Sequence, residues 1–237
     1  STDTDITITA SYEQAQIDKQ VRLRIAAKPA GEVEYYAVIV GIADYPGTGN
    51  DLSYTVKDAT AIRNELIKDP AWKNENINLL LDSHATPAAI QSAISDMAQL
   101  ANSGDVCLFY YSGHGGRTTA GEYLYVYGGY VYDYDFAVWI NALPTDNYII
   151  LLDACYSGGQ IYSLDTGYFN PSYSSTRNSF AANIARSLGI DNLNQNGRGA
   201  VLASSSATQE SWESPSLGHG YFTYYLLEAM AGAADFD

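Results

Sequence analysis

The sequence predicts an α/β protein built on a mostly parallel sheet that is covered by helices on both faces. Short apolar runs recur along the chain, and helical patterns lie between them. Runs that are apolar throughout indicate strands buried on both faces, as in a parallel sheet. The 237 residues are 46% hydrophobic and 16% charged, which suits one packed domain and excludes a disordered or fibrous chain.

The predicted sheet begins at residue 35, where the apolar residues become continuous. Its strands are predicted at residues 35–42, 77–81, 106–111, 148–152 and 200–203. Helical patterns occupy residues 56–67, 86–100, 180–188 and 222–231. Pro87 in the first turn of the second helix and Gly104 beyond its end support that helix. In such sheets, functional residues collect beyond the carboxyl ends of the strands.

Residues 1–34 have a different pattern and are interpreted as an N-terminal extension to a main domain of residues 35–237. Residues 6–9 and 21–25 alternate apolar and polar side chains, which is the period of a half-buried strand. We expect this extension to pair with an edge of the sheet or to come from a preceding domain.

Two polar inserts interrupt the alternation of strands and helices. Residues 158–199 contain no clear strand, and so long a connection is usually functional. Residues 117–135 carry tyrosines at alternating positions, which predicts a β-ribbon with one tyrosine face. These tyrosines are Tyr123, Tyr125, Tyr127, Tyr130, Tyr132 and Tyr134. A packed hairpin is the preferred interpretation, and a wall of a binding cleft is the alternative.

The composition limits the partners of the protein. With 12 basic and 27 acidic residues, the net charge is −15, which disfavours nucleic acid and favours basic substrates or cations. No stretch reaches the ~18 apolar residues of a membrane helix, so we expect no membrane partner. Two cysteines cannot form a disulfide framework. The scarcity of lysine favours an exported protein, secreted or periplasmic.

Two predicted strands end in glycine-rich polar motifs. The first runs into Ser-Gly-His-Gly-Gly at residues 112–116, and the second into Asp-Ala-Cys-Tyr-Ser-Gly-Gly at residues 153–159. If these strands are neighbours, His114 and Cys155 emerge side by side, because adjacent strands lie about 4.8 Å apart. A thiol beside an imidazole is a nucleophile beside its base. Either residue alone would more often be structural, but together they predict nucleophilic catalysis.

The remaining histidines and Cys107 lack a comparable setting. His84 precedes a helix, and we expect it on the surface. His219 lies in a turn before a helix and is interpreted as structural, with a position facing the cleft as the alternative. Cys107 lies inside a strand and is expected in the core.

Together, the two motifs resemble those of the caspase-like cysteine peptidases, and within them the metacaspases and bacterial caspase homologues. The similarity extends over roughly residues 35–231. It implies an α/β/α sandwich and the hydrolysis of peptide bonds through an acyl-enzyme. By this resemblance the catalytic groups are a Cys155–His114 dyad, and the backbone N–H groups of Gly115 and Cys155 form the oxyanion hole.

The same resemblance implies that Asp58, Ser112 and Asp153 line the pocket for the residue before the scissile bond. Asp153 lies two residues before Cys155, so both side chains point to one side of a strand. Carboxylates there would attract Arg or Lys, which predicts cleavage after basic residues. As alternatives, Asp153 is a turn carboxylate and Asp58 an acid favoured at a helix start. Thr55 replaces a cysteine often seen in metacaspases, which leaves the pocket's shape open.

The same resemblance suggests two regulatory features, autocleavage and calcium dependence. Autocleavage in the long insert is expected after Arg177, Arg186 or Arg198. The chemistry needs no cofactor, but many metacaspases require calcium, for which Glu122, Asp133 and Asp135 are weak candidates. A solvated acidic loop is the preferred interpretation of these three. The expected partner is a protein or peptide with a basic residue at the cleavage site, and the expected state is a monomer.

Two other functions remain open at this point. The first is an Asp-specific peptidase of the same fold, against which the carboxylate at Asp153 argues. The second is an inactive caspase homologue that acts as a binding module, against which intact Cys155 and His114 argue.

Overall fold

The computed structural model describes residues 4–12, 15–25, 33–47, 49–118, 121–154, 180–187, 199–205 and 211–233, with backbone alone before residue 33. Several predicted features lie outside these residues. They are Cys155, Arg177, Arg198 and most of the 158–199 insert.

The elements are numbered in chain order. The strands are β1 (Thr4–Tyr12), β2 (Ala15–Ile25), β3 (Tyr35–Gly41), β4 (Ile77–Leu81), β5 (Val106–Ser112), β6 (Gly115–Thr118), β7 (Gly121–Val126), β8 (Gly129–Tyr132), β9 (Tyr148–Asp153), β10 (Ala200–Ala203), β11 (Glu213–Ser214) and β12 (His219–Gly220). The helices are α1 (Thr55–Leu66), α2 (Pro87–Leu100), α3 (Asp133–Asn141), α4 (Phe180–Ser187) and α5 (Tyr221–Glu228), and a π-helical turn covers Ala229–Ala233.

A parallel five-stranded sheet forms the centre of the fold. Its strand order is β10-β9-β5-β3-β4, and every neighbouring pair is parallel. The apolar runs predicted as strands form these five, with bounds that differ by at most one residue. Because β5 and β9 are adjacent, Ser112 is paired with Asp153 at the carboxyl ends of the two strands. The two glycine-rich motifs therefore leave the sheet at the same edge.

Helices cover both faces of this sheet, which confirms the predicted α/β/α sandwich. On one face, α1 and α5 pack on alternate strand residues such as Ile39 and Tyr110. On the other face, α2, α3 and α4 pack around Phe109 and Phe136. Successive residues of a central strand are thus buried on opposite sides, which explains the continuous apolar runs. No helix within the described ranges is long and apolar enough to cross a membrane.

The N-terminal strands form a sheet of their own. β1 and β2 pair antiparallel, from Thr4 opposite Ile25 onward, and neither strand joins the central sheet. Of the two expectations for the extension, pairing with an edge of the main sheet is therefore not found for these residues, and origin in a preceding domain stays a prediction. The domain boundary at residues 34 and 35 stays a prediction.

The tyrosine-rich insert forms the antiparallel sheet β6-β7-β8. Leu124, Val126 and Val131 point into the core, while the rings of Tyr123 and Tyr130 meet on the other face. The predicted ribbon with one tyrosine face is confirmed for Tyr123, Tyr125, Tyr130 and Tyr132, whereas Tyr127 lies in the turn after β7 and Tyr134 lies in α3. The helix α3 was not predicted, because the tyrosine alternation continues past the end of β8.

Candidate active site

His114 follows β5 directly, and its ring is oriented by a backbone carbonyl. The ring Nε2 lies 2.8 Å from the carbonyl oxygen of Asn50. A carbonyl oxygen can only accept, so Nε2 carries the hydrogen and donates it. In the neutral ring, Nδ1 then has a free lone pair and can accept a proton. No acidic side chain is needed to hold this tautomer.

Two buried tyrosines fix the backbone of His114 from both sides. Its N–H donates to the hydroxyl of Tyr45 at 2.8 Å, and its carbonyl oxygen lies 2.7 Å from the hydroxyl of Tyr111. The ring of Tyr45 also packs against the imidazole, with 4.9 Å between centroids. Burial raises the pKa of Tyr45 to about 12, so the hydroxyl stays neutral. Sequence reasoning missed the role of Tyr45, which is distant from His114 in the chain.

The glycine before His114 is required by this arrangement. A Cβ atom on Gly113 would lie 2.6 Å from the hydroxyl oxygen of Tyr111 and 2.7 Å from that of Tyr45. Contacts this short do not occur for real Cβ atoms, so a side chain here would push the two hydroxyls away. The glycine-rich motif is thus explained by close packing of tyrosines around the histidine.

The strand that leads to Cys155 ends beside this motif. The N–H of Gly113 donates to the carbonyl oxygen of Asp153 at 3.1 Å, which joins the two motifs. Ala154 is held by Ser204, whose Oγ accepts from the Ala154 N–H at 3.1 Å. Cys155 itself lies outside the described residues, so its distance from His114 stays a prediction.

The three residues predicted to line the pocket come together below this edge. Ser112 Oγ lies 3.4 Å from Asp58 Oδ2. A Cβ atom on Gly220 would lie 2.5 Å from Asp153 Oδ2 and 3.2 Å from Asp58 Oδ2, so both carboxylates flank that glycine. We call Asp58 and Asp153 the acidic pair. The two residues are 0% and 5% exposed.

Burial changes the protonation of the acidic pair. It raises the pKa of Asp58 to about 6, and the nearby charge of Asp153 acts in the same direction. Hydrogen bonds from His219 and Gly220 oppose this rise. Burial also raises the pKa of Asp153. Two buried carboxyl groups this close favour a cationic partner.

Residues 211–223, here called the covering segment, bind all the oxygens of the acidic pair. His219 Nδ1 lies 2.5 Å from Asp58 Oδ1, and the Gly220 N–H donates to Asp58 Oδ2 at 3.1 Å. The hydroxyls of Ser211 and Thr223 donate to Asp153, each at 2.6 Å. His219 thus contacts a predicted pocket residue, which fits the alternative position facing the cleft.

Glu213 anchors the covering segment to α1. Its carboxylate accepts the backbone N–H groups of Ser53 at 2.9 Å and Tyr54 at 2.7 Å. These N–H groups lie at the start of the helix, where backbone N–H groups have no partner within the helix and negative charge is favoured. Sequence reasoning did not find this contact, because the partners are about 160 residues apart in the chain.

The weak calcium candidates do not gather into one site. Glu122 and Asp133 are both buried and interact, and Arg117 Nε lies 3.4 Å from Glu122 Oε1. Burial, with Asp133 nearby, raises the pKa of Glu122 to about 7. Asp135 is exposed. Across the described ranges no group of three or more His, Cys, Asp or Glu could hold a metal ion, so these residues do not fit a closed calcium site. Calcium dependence stays a prediction.

The other predicted residues are placed as follows. Gly115 begins β6 directly after His114, and its role in an oxyanion hole stays a prediction. Arg186 lies in the last turn of α4. His84 is exposed and Cys107 is buried, as expected.

Comparisons with known proteins agree with these features. A family model described as "Caspase domain" matches residues 34–236. Metacaspase-6 of Arabidopsis thaliana is 33% identical over 142 residues, which cover 53% of this chain and 38% of that protein. Metacaspase-9 of Arabidopsis thaliana is 30% identical over 143 residues, covering 53% and 44%. The chain thus matches less than half the length of these relatives.

A solved structure of a Geobacter sulfurreducens protein has a similar fold. The TM-score is 0.59 at 17% identity, and the alignment covers 84% of this chain and 83% of that one. At this identity the likeness concerns the fold alone.

Proposed function

Because this chain belongs to the caspase-domain family, we propose that it is a cysteine endopeptidase that cleaves peptide bonds after Arg or Lys. The observation that carries the proposal is the acidic pair, two buried carboxylates at the strand edge that also bears His114. A guanidinium or ammonium group is the natural partner for such a site. Protein and peptide substrates with a basic residue are therefore the expected partners.

In the proposed reaction, His114 Nδ1 takes the thiol proton of Cys155. The thiolate sulfur attacks the peptide carbonyl carbon, and the resulting oxyanion accepts hydrogen bonds from the N–H groups of Gly115 and Cys155. His114 then gives its proton to the leaving amine as the C–N bond breaks. Water, deprotonated by His114, attacks the thioester, and its cleavage releases the acid and the thiol. The Asn50 carbonyl keeps the ring oriented throughout.

The arrangement around His114 supports its role as the base. The backbone is held by hydroxyls of Tyr45 and Tyr111, and the ring Nε2 by Asn50. A base fixed at three points loses little freedom when substrate binds, which favours catalysis. The His114 side chain is half-buried.

Self-processing is part of the proposal. Arg186 lies within α4, and its peptide bond becomes accessible to a peptidase only when the helix opens. We therefore expect cleavage after Arg177 or Arg198 rather than after Arg186. Incubating the protein beside a Cys155→Ala variant and measuring intact masses tests this. Identical masses would reject self-processing.

A panel of fluorogenic peptides tests the function itself. The peptides carry Arg, Lys, Asp or Asn before the scissile bond, and each is tested with and without calcium. We expect cleavage of the Arg and Lys peptides alone, and none by Cys155→Ala. Preference for Asp would support the Asp-specific alternative. Cleavage of no peptide under either condition would favour an inactive homologue that acts as a binding module.

A further inference from the structure

We propose that His219 is a specificity-determining residue: its imidazole binds Asp58 of the acidic pair in the free protein, and the substrate's basic side chain displaces it. The inference rests on the proposed function, to which it adds the event that opens the pocket. It concerns the contact between the covering segment and Asp58.

His219 already lies where a cationic side chain of the substrate would bind. Its Nδ1 lies 2.5 Å from Asp58 Oδ1, and the Asp58 side chain is 1% exposed. The Gly220 N–H binds the other oxygen of the same carboxylate. A guanidinium from the substrate can therefore reach Asp58 only if the imidazole moves away.

The acidic pair needs a hydrogen-bonding partner when no substrate is bound. A buried carboxylate without hydrogen bonds is strongly unfavourable, so an empty pocket with these two acids would destabilise the fold. His219 supplies one of the donors from within the chain. Binding of Arg or Lys then replaces one nitrogen donor with another, and the carboxylate remains paired at each stage.

The imidazole of His219 has space to move into. His219 lines a solvent-open cavity of about 430 Å³ together with Leu217, Tyr224 and Glu228. The histidine side chain is 15% exposed, so it already borders this space. The exposed Glu228 carboxylate lines the same cavity and accepts a hydrogen bond from the Tyr224 hydroxyl at 3.0 Å.

Glycines flank His219 on both sides. Gly218 has a φ of +67°, which glycine adopts without strain. Gly220 packs so closely on Asp153 that it admits no side chain. The Lys57 ammonium lies against Gly218 on the α1 side, because a Cβ atom on that glycine would lie 2.6 Å from Lys57 Nζ.

A kinetic comparison separates this role from a structural one. If His219 competes with the substrate, His219→Gln lowers KM for Arg peptides, on the order of tenfold where the closed state dominates, and leaves kcat nearly unchanged. His84→Gln, at an exposed histidine, is the matched control and should change neither constant. A purely structural histidine would instead give a lower melting temperature and a lower kcat with no gain in KM, and that result would overturn the proposal.

A binding experiment tests the exchange without relying on catalysis. The full chain with Cys155→Ala, labelled with ¹⁵N-histidine, is titrated with Nα-acetyl-arginine amide and, separately, with its uncharged citrulline analogue. We expect the His219 ring signals, assigned by their loss in His219→Gln, to shift with the arginine ligand only. The His84 signals should not move.

The outcomes distinguish this inference from the proposed function. His219 signals that stay in place throughout the arginine titration overturn the exchange, whether or not the wild-type chain cleaves Arg peptides. Signals that shift in a chain that cleaves no peptide support the exchange and contradict the peptidase function. An equal shift with the citrulline ligand would show that charge is not recognised and would also overturn the exchange.

Discussion

His114 and the acidic pair lie at the same edge of the sheet, but the protein holds them in different ways. His114 is fixed by neutral groups, the Tyr45 and Tyr111 hydroxyls and the Asn50 carbonyl, and its ring is half-buried. The acidic pair is fully enclosed, and the covering segment binds its oxygens. In the proposed mechanism the base is therefore positioned before substrate arrives, whereas the proposed specificity site is closed by the chain itself.

This difference indicates that part of the substrate's binding energy is used to free the acidic pair. Displacing His219 breaks its hydrogen bond to Asp58, and only a substrate that replaces this bond recovers the loss. Basic side chains meet this requirement, because they donate to carboxylates. In the proposed mechanism, selectivity for basic side chains arises from the cost of displacing His219 as well as from the contacts that the substrate makes afterwards.

The largest expected effect comes from removing the base. His114→Ala should lower kcat for Arg peptides by about 10²–10⁴-fold, because proton transfer loses its positioned group. KM should change little, since the acidic pair is untouched. Steady-state kinetics measure both constants, with His84→Ala as the control. Wild-type kcat in His114→Ala would remove this residue from the mechanism.

The acidic pair gives the next largest effect. Asp153→Ala should lower kcat/KM for Arg peptides, because a desolvated charge partner is lost. The expected loss of transition-state stabilisation is about 2–5 kcal/mol. The Ser211 and Thr223 hydroxyls would also lose their acceptor. Steady-state kinetics on Arg and neutral peptides check the prediction. Retention of full activity on Arg would reject the pocket role.

A glycine substitution probes how rigidly His114 is held. Gly113→Ala should destabilise the fold by about 1–3 kcal/mol, because its Cβ overlaps the two tyrosine hydroxyls. It should also lower kcat while leaving KM unchanged. Gly49→Ala is the control, since a Cβ there meets nothing within 4 Å. Equal melting temperatures and kcat values for the two variants would contradict this account of the motif.

The smallest effect is a pH dependence. Burial raises the pKa of Asp58 from 3.8 to about 6, so this group gains a proton and loses its charge as the pH falls through that value. Binding of Arg should then weaken by up to about tenfold per pH unit. KM for Arg peptides should rise below pH 6 in the wild type and stay flat in Asp58→Asn. Parallel curves for the two proteins would assign the titration to another group.

The sequence predicted the parts of the fold that depend on local pattern. The strands of the central sheet and the helix α2 follow from apolar runs and from Pro87 and Gly104. The helix α3 was missed because the alternation of tyrosines continues in the sequence from Tyr132 to Tyr134, across the start of the helix. The period of the sequence pattern alone could not distinguish a continued strand from the start of a helix at this point.

For the candidate site, the sequence predicted residues but not their partners. Asp58, Ser112 and Asp153 were expected together, and they are together. The contacts of His219 and Glu213 with the α1 region join residues about 160 positions apart, and no local pattern carries such information. The covering of the acidic pair therefore became visible only in three dimensions.

The most direct test of the central claim is covalent labelling of the nucleophile. Peptidyl chloromethyl ketones ending in Arg or Asp are reacted with the intact chain, and the modified residue is located by peptide mass spectrometry. The account predicts rapid labelling of Cys155 by the Arg reagent, slower labelling by the Asp reagent, and none of Cys107, whose pKa burial raises to about 12. Absence of label on Cys155, or faster reaction with the Asp reagent, would contradict it.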